Sequence, residues 1–436
     1  MKKGSTWTVL FVLASSLFFG APARALTNAD CTQISSGVTL TAVASGPYCI
    51  ITVTAGSGSW TAPAGALDID LLIVGGGGGG GAGSSRAGNA CSATSSGTRA
   101  GGGGGGGGGG QVKETKLYSN AGQVFSMIVG SGGSGGARGG CRAAGSSGTS
   151  GETTTVGSIF AIGGGGGQGA TNLGEGGIGG YSYDSVGNII SGGSILNPGD
   201  CPGTTTTGCM AGGGGASSTS AGNAPVDYGI STSGALGSEG FTSTISAGIY
   251  GSGGGGGNRH GGTAPTASRG GGLGGTNAGA GTNLGDGGAA TAGYGGGGGG
   301  GRGNGWDSNI SPQTNAGAGG AGGSGVIVLK YVPTFSISIP QPSISGNVYK
   351  GINTSISVTI PVTGVVRFFV DGKRIATCKD RVTSGSAPNN VATCTWKPSV
   401  QGISKITIGL TPTNNAYSLG SSAPLNVRVL PRATRR

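Results

Sequence analysis

Apolar residues alternate with others along positions 67–74 (LDIDLLIV), with Leu67, Ile69, Leu71 and Ile73 on one face. This period of two predicts a strand. The segment runs without interruption into seven glycines, residues 75–81, and a second run of ten glycines occupies residues 101–110. The same junction recurs. Residues 123–129 (QVFSMIV) run into Gly130, residues 158–162 (SIFAI) run into the glycines of 163–167, and the glycine-rich stretch 319–325 leads into 326–331 (VIVLKY). Upstream, residues 38–43 (VTLTAV) and 49–54 (CIITVT) alternate and are rich in β-branched side chains, so they read as strands. Residues 60–65 (WTAPAG) read as a turn leading into the 67–74 strand.

The glycine runs pose an energetic problem. Ordering one residue costs about 1–2 kcal/mol, and glycine loses the most freedom of any residue. No side chain is present to return that cost by burial, so only backbone N–H and C=O groups remain, and these must pair with other segments. Extended threefold helices of the polyproline II type have no internal hydrogen bonds. Their amides point outward and, in glycine, several such helices can approach closely enough to bond to one another. The alternative is a flexible linker. Three features favour the ordered bundle: the runs start from apolar strands, strand-like segments recur through the region, and cysteines sit between the runs. Glycine supplies 93 of the 251 residues in 75–325. There is no strict Gly-X-Y period across this region and little proline, which excludes collagen.

The N-terminus has the layout of a secretory signal. Lys2 and Lys3 precede an apolar stretch over 9–19, and Ala23-Arg24-Ala25 offers a cleavage site, so the mature chain is expected to start at Leu26. The apolar stretch is too short to span a bilayer, and no later segment qualifies, so a secreted or extracellular, loosely surface-associated protein without a transmembrane segment is expected. Eight cysteines suit an oxidising compartment. They allow 105 pairings; sequence neighbours give the simplest set, Cys31–Cys49, Cys91–Cys141, Cys201–Cys209 and Cys378–Cys394. No close Cys/His cluster points to a metal, and no cofactor is expected.

Residues 333–436 differ from the rest. Segments 335–339, 355–360, 365–370, 392–396, 405–408 and 425–429 read as strands, and Asp371-Gly372 is a hairpin signal. About six strands in about 100 residues suggest an immunoglobulin-like sandwich. This stretch holds 12 basic and 2 acidic residues, whereas the rest of the mature chain holds 10 basic and 12 acidic. One end of the molecule is therefore cationic and suited to an anionic surface such as wall polymer or lipid headgroups. A solvated spacer is the plain alternative, and export argues against nucleic acid. The tail (LPRATRR) lacks the order of a sortase signal and has no apolar segment after it.

Trp60-x-x-Pro63-x-Gly65, then the strand ending Ile73-Val74 in a glycine run, resembles the start of the bacterial and phage glycine-rich domain family. Residues 123–133 look like its middle element, and 319–331 like its closing element. The resemblance covers about residues 50–332. That family is similar to the tail-fibre adhesins of T-even-type phages, whose tips stack polyglycine II helices beneath receptor-binding loops, and this implies a recognition role. The signal peptide departs from the phage pattern and implies a secreted bacterial protein. Residues 333–436 resemble bacterial Ig-like repeats, with 369–372 in the central hairpin, but Trp396 follows both cysteines, unlike antibody domains.

The expected fold is therefore all-β plus non-regular. A signal peptide (1–25) precedes an N-terminal β segment (26–74) that feeds a polyglycine II domain with display loops (75–332) on a β platform. A basic Ig-like β-sandwich (333–436) follows.

Catalytic signatures are weak. No run is followed by the Lys-Ser or Lys-Thr of a P-loop. His260 is the only histidine and lacks a nucleophile elbow, and Asp68 and Asp70 read as the wet side of a half-buried strand. No enzyme is expected.

Tyr181, Tyr183, Tyr228, Tyr250, Tyr294 and Trp306 stand among Gly, Ser and Asn, the mixture of antibody recognition loops. They are the candidate contacts for a glycan or protein ligand on a cell surface; the alternative is that each ring caps a glycine helix. The expected function is an exported adhesin, with a self-associating matrix or coat protein as the alternative. N-terminal sequencing of the exported protein should begin at Leu26; retention of residues 1–25 would overturn the cleavage assignment.

Overall fold

The computed structural model describes residues 26–31, 35–63, 68–84, 101–120, 122–139, 143–171, 175–194, 211–225, 233–258, 270–275, 285–303, 316–333, 337–385, 389–413, 417 and 419–432. The fold is all-β with extended glycine segments, and it divides into two compact units, Leu26–Pro333 and Thr334–Arg436. Among the described residues no helix is long and apolar enough to cross a membrane.

The first unit rests on one antiparallel sheet. Its strands are β1 (Ser35–Ser45), β2 (Tyr48–Thr61), β3 (Asp68–Val74), β4 (Val112–Tyr118), β5 (Val124–Ile128), β6 (Thr154–Val156) and β7 (Ile159–Ala161). Two small hairpins follow, β8 (Ser182–Tyr183) with β9 (Ile189–Ile190) and β10 (Phe241–Thr242) with β11 (Ile249–Tyr250), and β12 (Val326–Tyr331) closes the sheet. The order is β4-β3-β12-β2-β5-β6-β7, with β1 also on β2. The last strand in sequence thus sits in the middle of the sheet, between two of the first three.

β2 serves two partners because it bends. Its first half pairs with β12 from Cys49 to Val53, and its second half with β5 from Ser57 to Thr61. At the bend Gly56 has φ +100° and faces Gly37 at φ +74° across a register shift. A Cβ on either would lie 2.4 Å from the carbonyl oxygen of the facing strand, so both positions need glycine.

One face of the sheet closes over Trp60, Ile51, Ile69, Leu71, Met127 and Tyr331. Trp60 is not in a turn, as its sequence context suggested, but inside β2 and fully buried, with Phe125 and Tyr331 rings each 6.1 Å away. The 67–74 strand also departs from simple alternation. From Leu71 to Val74 every side chain is buried, because the β10–β11 hairpin lays Tyr250 and Phe241 over Leu72, Val74, Val112, Val326 and Val328 on the opposite face. Cys31–Cys49 is bonded in the first core. Cys91, Cys141, Cys201 and Cys209 lie outside the described residues.

Above the sheet the glycine segments form a bundle of polyglycine II helices. Run 75–84 shows the rule. Gly75, Gly78 and Gly81 donate their N–H groups to Gln111, Gly108 and Gly105; Gly76, Gly79 and Ala82 donate to Glu152, Thr149 and Ser146; Gly77, Gly80 and Gly83 donate to Gly323, Gly320 and Gly317, all at 2.7–3.0 Å. Every third amide reaches the same neighbour, as a threefold helix requires. The carbonyls work the same way: Gly76 and Gly79 accept from Gly164 and Gly167, Gly77 and Gly80 from Gly133 and Gly136, and Gly78 and Gly81 from Gly298 and Gly301. One run therefore has six bonded neighbours. Runs 101–111 and 295–303 are surrounded in the same way.

Such packing excludes side chains. A Cβ on Gly78, Gly107 or Gly297 would stand 1.9–2.1 Å from a neighbouring carbonyl oxygen. None of these run glycines takes a left-handed φ, so the runs share one hand. At the rim one or two faces in three look outward, and side chains return there. Segment 131–137 exposes Ser131, Ser134 and Ala137 while Gly133 and Gly136 are buried, and 145–151 keeps Gly145, Gly148 and Gly151 facing the bundle. Residues 191–194, 211–216 and 233–238 also bond into the bundle.

The second unit is a two-sheet sandwich. Its strands are β13 (Ser343–Ile344), β14 (Val348–Tyr349), β15 (Thr354–Ile360), β16 (Gly364–Val370), β17 (Lys373–Arg374), β18 (Arg381–Val382), β19 (Asn390–Trp396), β20 (Gly402–Pro412), β21 (Gly420–Ser421) and β22 (Leu425–Leu430). One sheet is β13-β15-β19. The other is β14-β22-β20-β16-β17, with β18 on β16 and β21 on β20. They enclose Phe368, Ile356, Ile406 and Ile408, together with the Cys378–Cys394 disulfide. Asp371 (φ +50°) and Gly372 (φ +76°) make the tight β16–β17 turn.

Gly107→Ala places a methyl against the Gly78 carbonyl and should destabilise the first unit by about 3 kcal/mol or more, at the upper end of overpacking costs. Ser134→Ala on the rim should change stability by no more than about 0.5 kcal/mol. Denaturant unfolding of both variants, with amide exchange of residues 104–109, checks the pair.

Candidate functional site

The strand-to-run junctions fix which way each glycine helix points. β3, β5 and β7 hand the chain directly to runs 75–84, 130–138 and 163–170, whereas runs 101–111, 143–152 and 316–325 deliver it back to β4, β6 and β12. The hydrogen-bond register then places the far ends together. Ser84 donates its N–H to Gly102, Gly83 to Gly317, Ala170 to Ala82, Gly145 to Ala170, Gly177 to Gly103, Gly212 to Gly257, Gly303 to Asn258 and Arg302 to Gly285. These residues form the tip of the bundle, opposite the sheet. Residues 85–100, 140–142, 172–174, 195–210, 226–232, 276–284 and 304–315 lie outside the described residues; the described residues that flank them are run ends.

The described tip residues tie the helix ends to one another. Arg138 pairs with Asp286, whose other carboxylate oxygen accepts the Ala318 N–H at 2.8 Å. Buried Asn258 accepts the Gly234 N–H at 2.7 Å through its side-chain oxygen, and Ser84 accepts the Gly102 N–H at 3.1 Å. Thr171 and Glu175 bond across a turn at 3.2 Å. Glu175 and Asp286 are the two positions that distinguish the repeated motifs TNLGEGG (171–177) and TNLGDGG (282–288), and each opens a run that returns toward the sheet.

The candidate aromatics do not gather at this tip. Tyr181 and Tyr183 stand at the opposite end, where run 175–181 enters the β8–β9 hairpin. Their rings meet edge to face at 5.7 Å, and Ser182 between them donates to the Gly109 carbonyl at 2.7 Å. Tyr250 and Tyr294 stack at 5.5 Å, also against the sheet. Tyr250 is buried and exchanges a hydroxyl hydrogen bond with Ser246 at 2.9 Å, while the Tyr294 carbonyl accepts the Gly251 N–H where a run begins. Burial pushes the Tyr250 phenol above the usual tyrosine range, as it does for Tyr183. These four rings close the lower ends of glycine helices. Tyr228, Trp306 and His260 lie outside the described residues.

A shallow groove of about 690 Å³ opens on the sheet, lined by Asp70, Glu114, Lys116, Tyr118, Thr244 and Lys330 among others. Its charges are engaged. Lys116 bridges Asp70 at 2.7 Å and Asp68 at 3.2 Å, and hydrogen bonds to Asp70 and then Asp68 hold its ammonium above the ordinary lysine range. Glu114 accepts from Ser243 at 2.6 Å and from the Thr244 hydroxyl at 2.7 Å, fixing the β10–β11 hairpin to β4. Lys330 covers the Tyr48 ring. Asp68 and Asp70 thus share one lysine, and the groove is a set of structural ties rather than a poised acid–base pair.

A family model for a glycine-rich domain matches residues 52–332. Comparison with curated proteins gives no match.

Tyr250 should ionise later than the exposed tyrosines in an alkaline titration followed by near-ultraviolet absorbance, and Tyr250→Phe should remove that late step. The folded-state pKa lies above the unfolded one, so this stabilising contribution is complete below the usual tyrosine range and is lost as pH rises through it. A Tyr250 that titrates with the exposed phenols would contradict the capping role.

Proposed function

The chain belongs to the glycine-rich domain family, and from that premise we propose that it is an exported binding protein, an adhesin whose glycine bundle is a stiff pedestal for recognition segments at its tip. The observation that carries this reading is the one-sidedness of the connections. The described run ends such as Ser84, Gly102, Ala170, Asn258 and Gly303 are bonded to one another at the end away from the sheet, while the chain departs from the first unit through β12 at the sheet end. A bundle that cannot bend holds those run ends in fixed relation to one another, which lowers the ordering cost of contact with a ligand.

The similarity to the glycine-helix tips of phage tail-fibre adhesins supports the same reading, with a cell-surface glycan or protein as the ligand class. The leader-like residues 1–25 and the two disulfides described support export. The second unit is then an Ig-like spacer or tether. Self-association into a matrix is less favoured, because outward side chains such as Ser131, Ser134 and Ala137 stand where a further glycine helix would have to dock.

Binding of the purified mature chain to whole cells and to a glycan array tests the proposal. Replacement of 304–315 by a short Gly/Ser connection should lower binding at least about tenfold, the effect of losing one anchoring contact region. Tyr181→Ser with Tyr183→Ser should leave binding within about twofold, as expected away from the contact surface. No binding to any cell or glycan, or an apparent molar mass by light scattering that grows steadily with concentration, would overturn the adhesin reading.

A further inference from the structure

The two faces of the second unit differ in chemistry. On the three-stranded sheet, the positions alternating with buried Ile356, Val358, Ala392 and Cys394 are Ser355, Ser357, Thr359, Thr393 and Thr395, all uncharged. On the other sheet, Arg367 and Phe369 alternate with buried Val366 and Phe368 and therefore face outward. Arg374 lies directly across from Phe369, and Gly409 directly across from Arg367. Lys405 and Arg428 alternate with buried Ile406, Val427 and Val429, so they look out from the same face. Four cations and one half-buried aromatic ring thus share a flat surface across β17, β16, β20 and β22. The Phe369 ring lies against Gly409, where a Cβ would stand 3.4 Å from it, at ordinary contact distance.

The acidic residues do not balance this face. Asp371 and Asp380 are the only two in 333–436. Asp380 serves two guanidiniums at once, Arg367 at 2.9 Å and Arg374 at 2.8 Å, and these hold its carboxyl below the usual carboxylate range, the Arg374 hydrogen bond most strongly. Asp371 is turned to the Lys405 backbone N–H at 2.8 Å. Among the described residues Lys405 and Arg428 have no ion-pair partner. Lys405 lies across from Asn426 and Arg428 across from Ile403, so the two cations are diagonal neighbours, about 7–8 Å apart at the backbone.

We infer that this outer face, through Arg367, Arg374, Lys405 and Arg428 around Phe369, binds a linear polymer bearing repeated phosphate groups. Guanidinium forks match phosphate oxygens, and cations spread over four strands suit an extended chain better than a single ion. A lipid surface fits less well. The second unit also exposes Ile352, Val400 and Leu419, but the two exposed apolar residues in strands on this face, Val382 and Ile403, lie near opposite ends of the sheet: Val382 pairs with Val365, which pairs with Thr411, eight residues along β20 from Ile403. That separation is about 26 Å, so they form no continuous patch to insert. The inference rests on the reading of the chain as an exported surface protein, but not on what the tip binds.

The test is retention of the full mature chain on immobilised long-chain polyphosphate over a salt series, with polygalacturonate and mixed phosphatidylglycerol–phosphatidylcholine vesicles in parallel. Binding to polyphosphate should weaken with salt. K405Q with R428Q should reduce affinity about tenfold at low salt and flatten the log–log salt slope by about 1.5, two cations' worth of counterion release. Lys373 sits across from Val370, on the inner side of the sheet edge, so K373Q, which removes one charge, should change affinity less than about twofold. Equal weakening by K373Q, no effect of the double variant, or binding to vesicles or polygalacturonate but not to polyphosphate would each overturn the inference. Whole-cell binding by the same double variant separates the two readings: its persistence while polyphosphate binding fails to appear overturns this inference alone.

Discussion

The amide-to-carbonyl hydrogen bond between neighbouring glycine helices is the interaction on which the rest of this molecule depends. A net contribution of about 1 kcal/mol per bond is no more than the cost of ordering one residue, so isolated helices would not persist. They persist because each interior run is bonded on all sides. The 75–84 run donates to three neighbours and accepts from three others, and its backbone groups remain paired in the absence of water. The same geometry dictates composition. With carbonyl oxygens about 2 Å from where a Cβ would stand, glycine is a packing requirement in the interior and not a source of flexibility.

A bundle of equivalent backbones has no register of its own, since a shift of three residues along a glycine run restores every hydrogen bond. The sheet supplies the register. Ile69, Leu71, Ile73, Val112, Met127 and Ile327 are buried in specific pairings, and each strand end fixes where its run begins. Trp60 and Tyr331 bring the β2 and β12 strands together at the centre. The hydrophobic core of the first unit is small relative to its length, and it acts as a ruler for a much larger structure held by main-chain bonds. Tyr250 and Tyr294 complete this arrangement by closing the lower ends of runs near the core.

The separation of tasks follows directly. Interior runs have no side chains and cannot recognise anything. Rim helices carry side chains at one or two of every three positions, as in 131–137 and 145–151. Side-chain chemistry among the described residues is concentrated on the surfaces of the second unit, where Arg367, Arg374, Lys405 and Arg428 occupy one sheet and Ser/Thr hydroxyls the other.

The sequence by itself determined that the runs are ordered and where they attach, because an alternating strand abutting a glycine run can be read from residues 67–81 without knowledge of the fold. It also determined the cationic character of 333–436 and the hairpin at Asp371-Gly372. The rim helices were hidden, since Gly145, Gly148 and Gly151 among serines look like loop composition until one or two faces in three are known to point outward. Only the tertiary structure decided which end is the tip. That assignment comes from long-range bonds such as Gly83 to Gly317, and it removed Tyr181, Tyr183, Tyr250 and Tyr294 from the tip despite their loop-like surroundings. The physical reason is that a glycine helix has no side-chain pattern along its length, so its direction and neighbours are set entirely by the strands at its root.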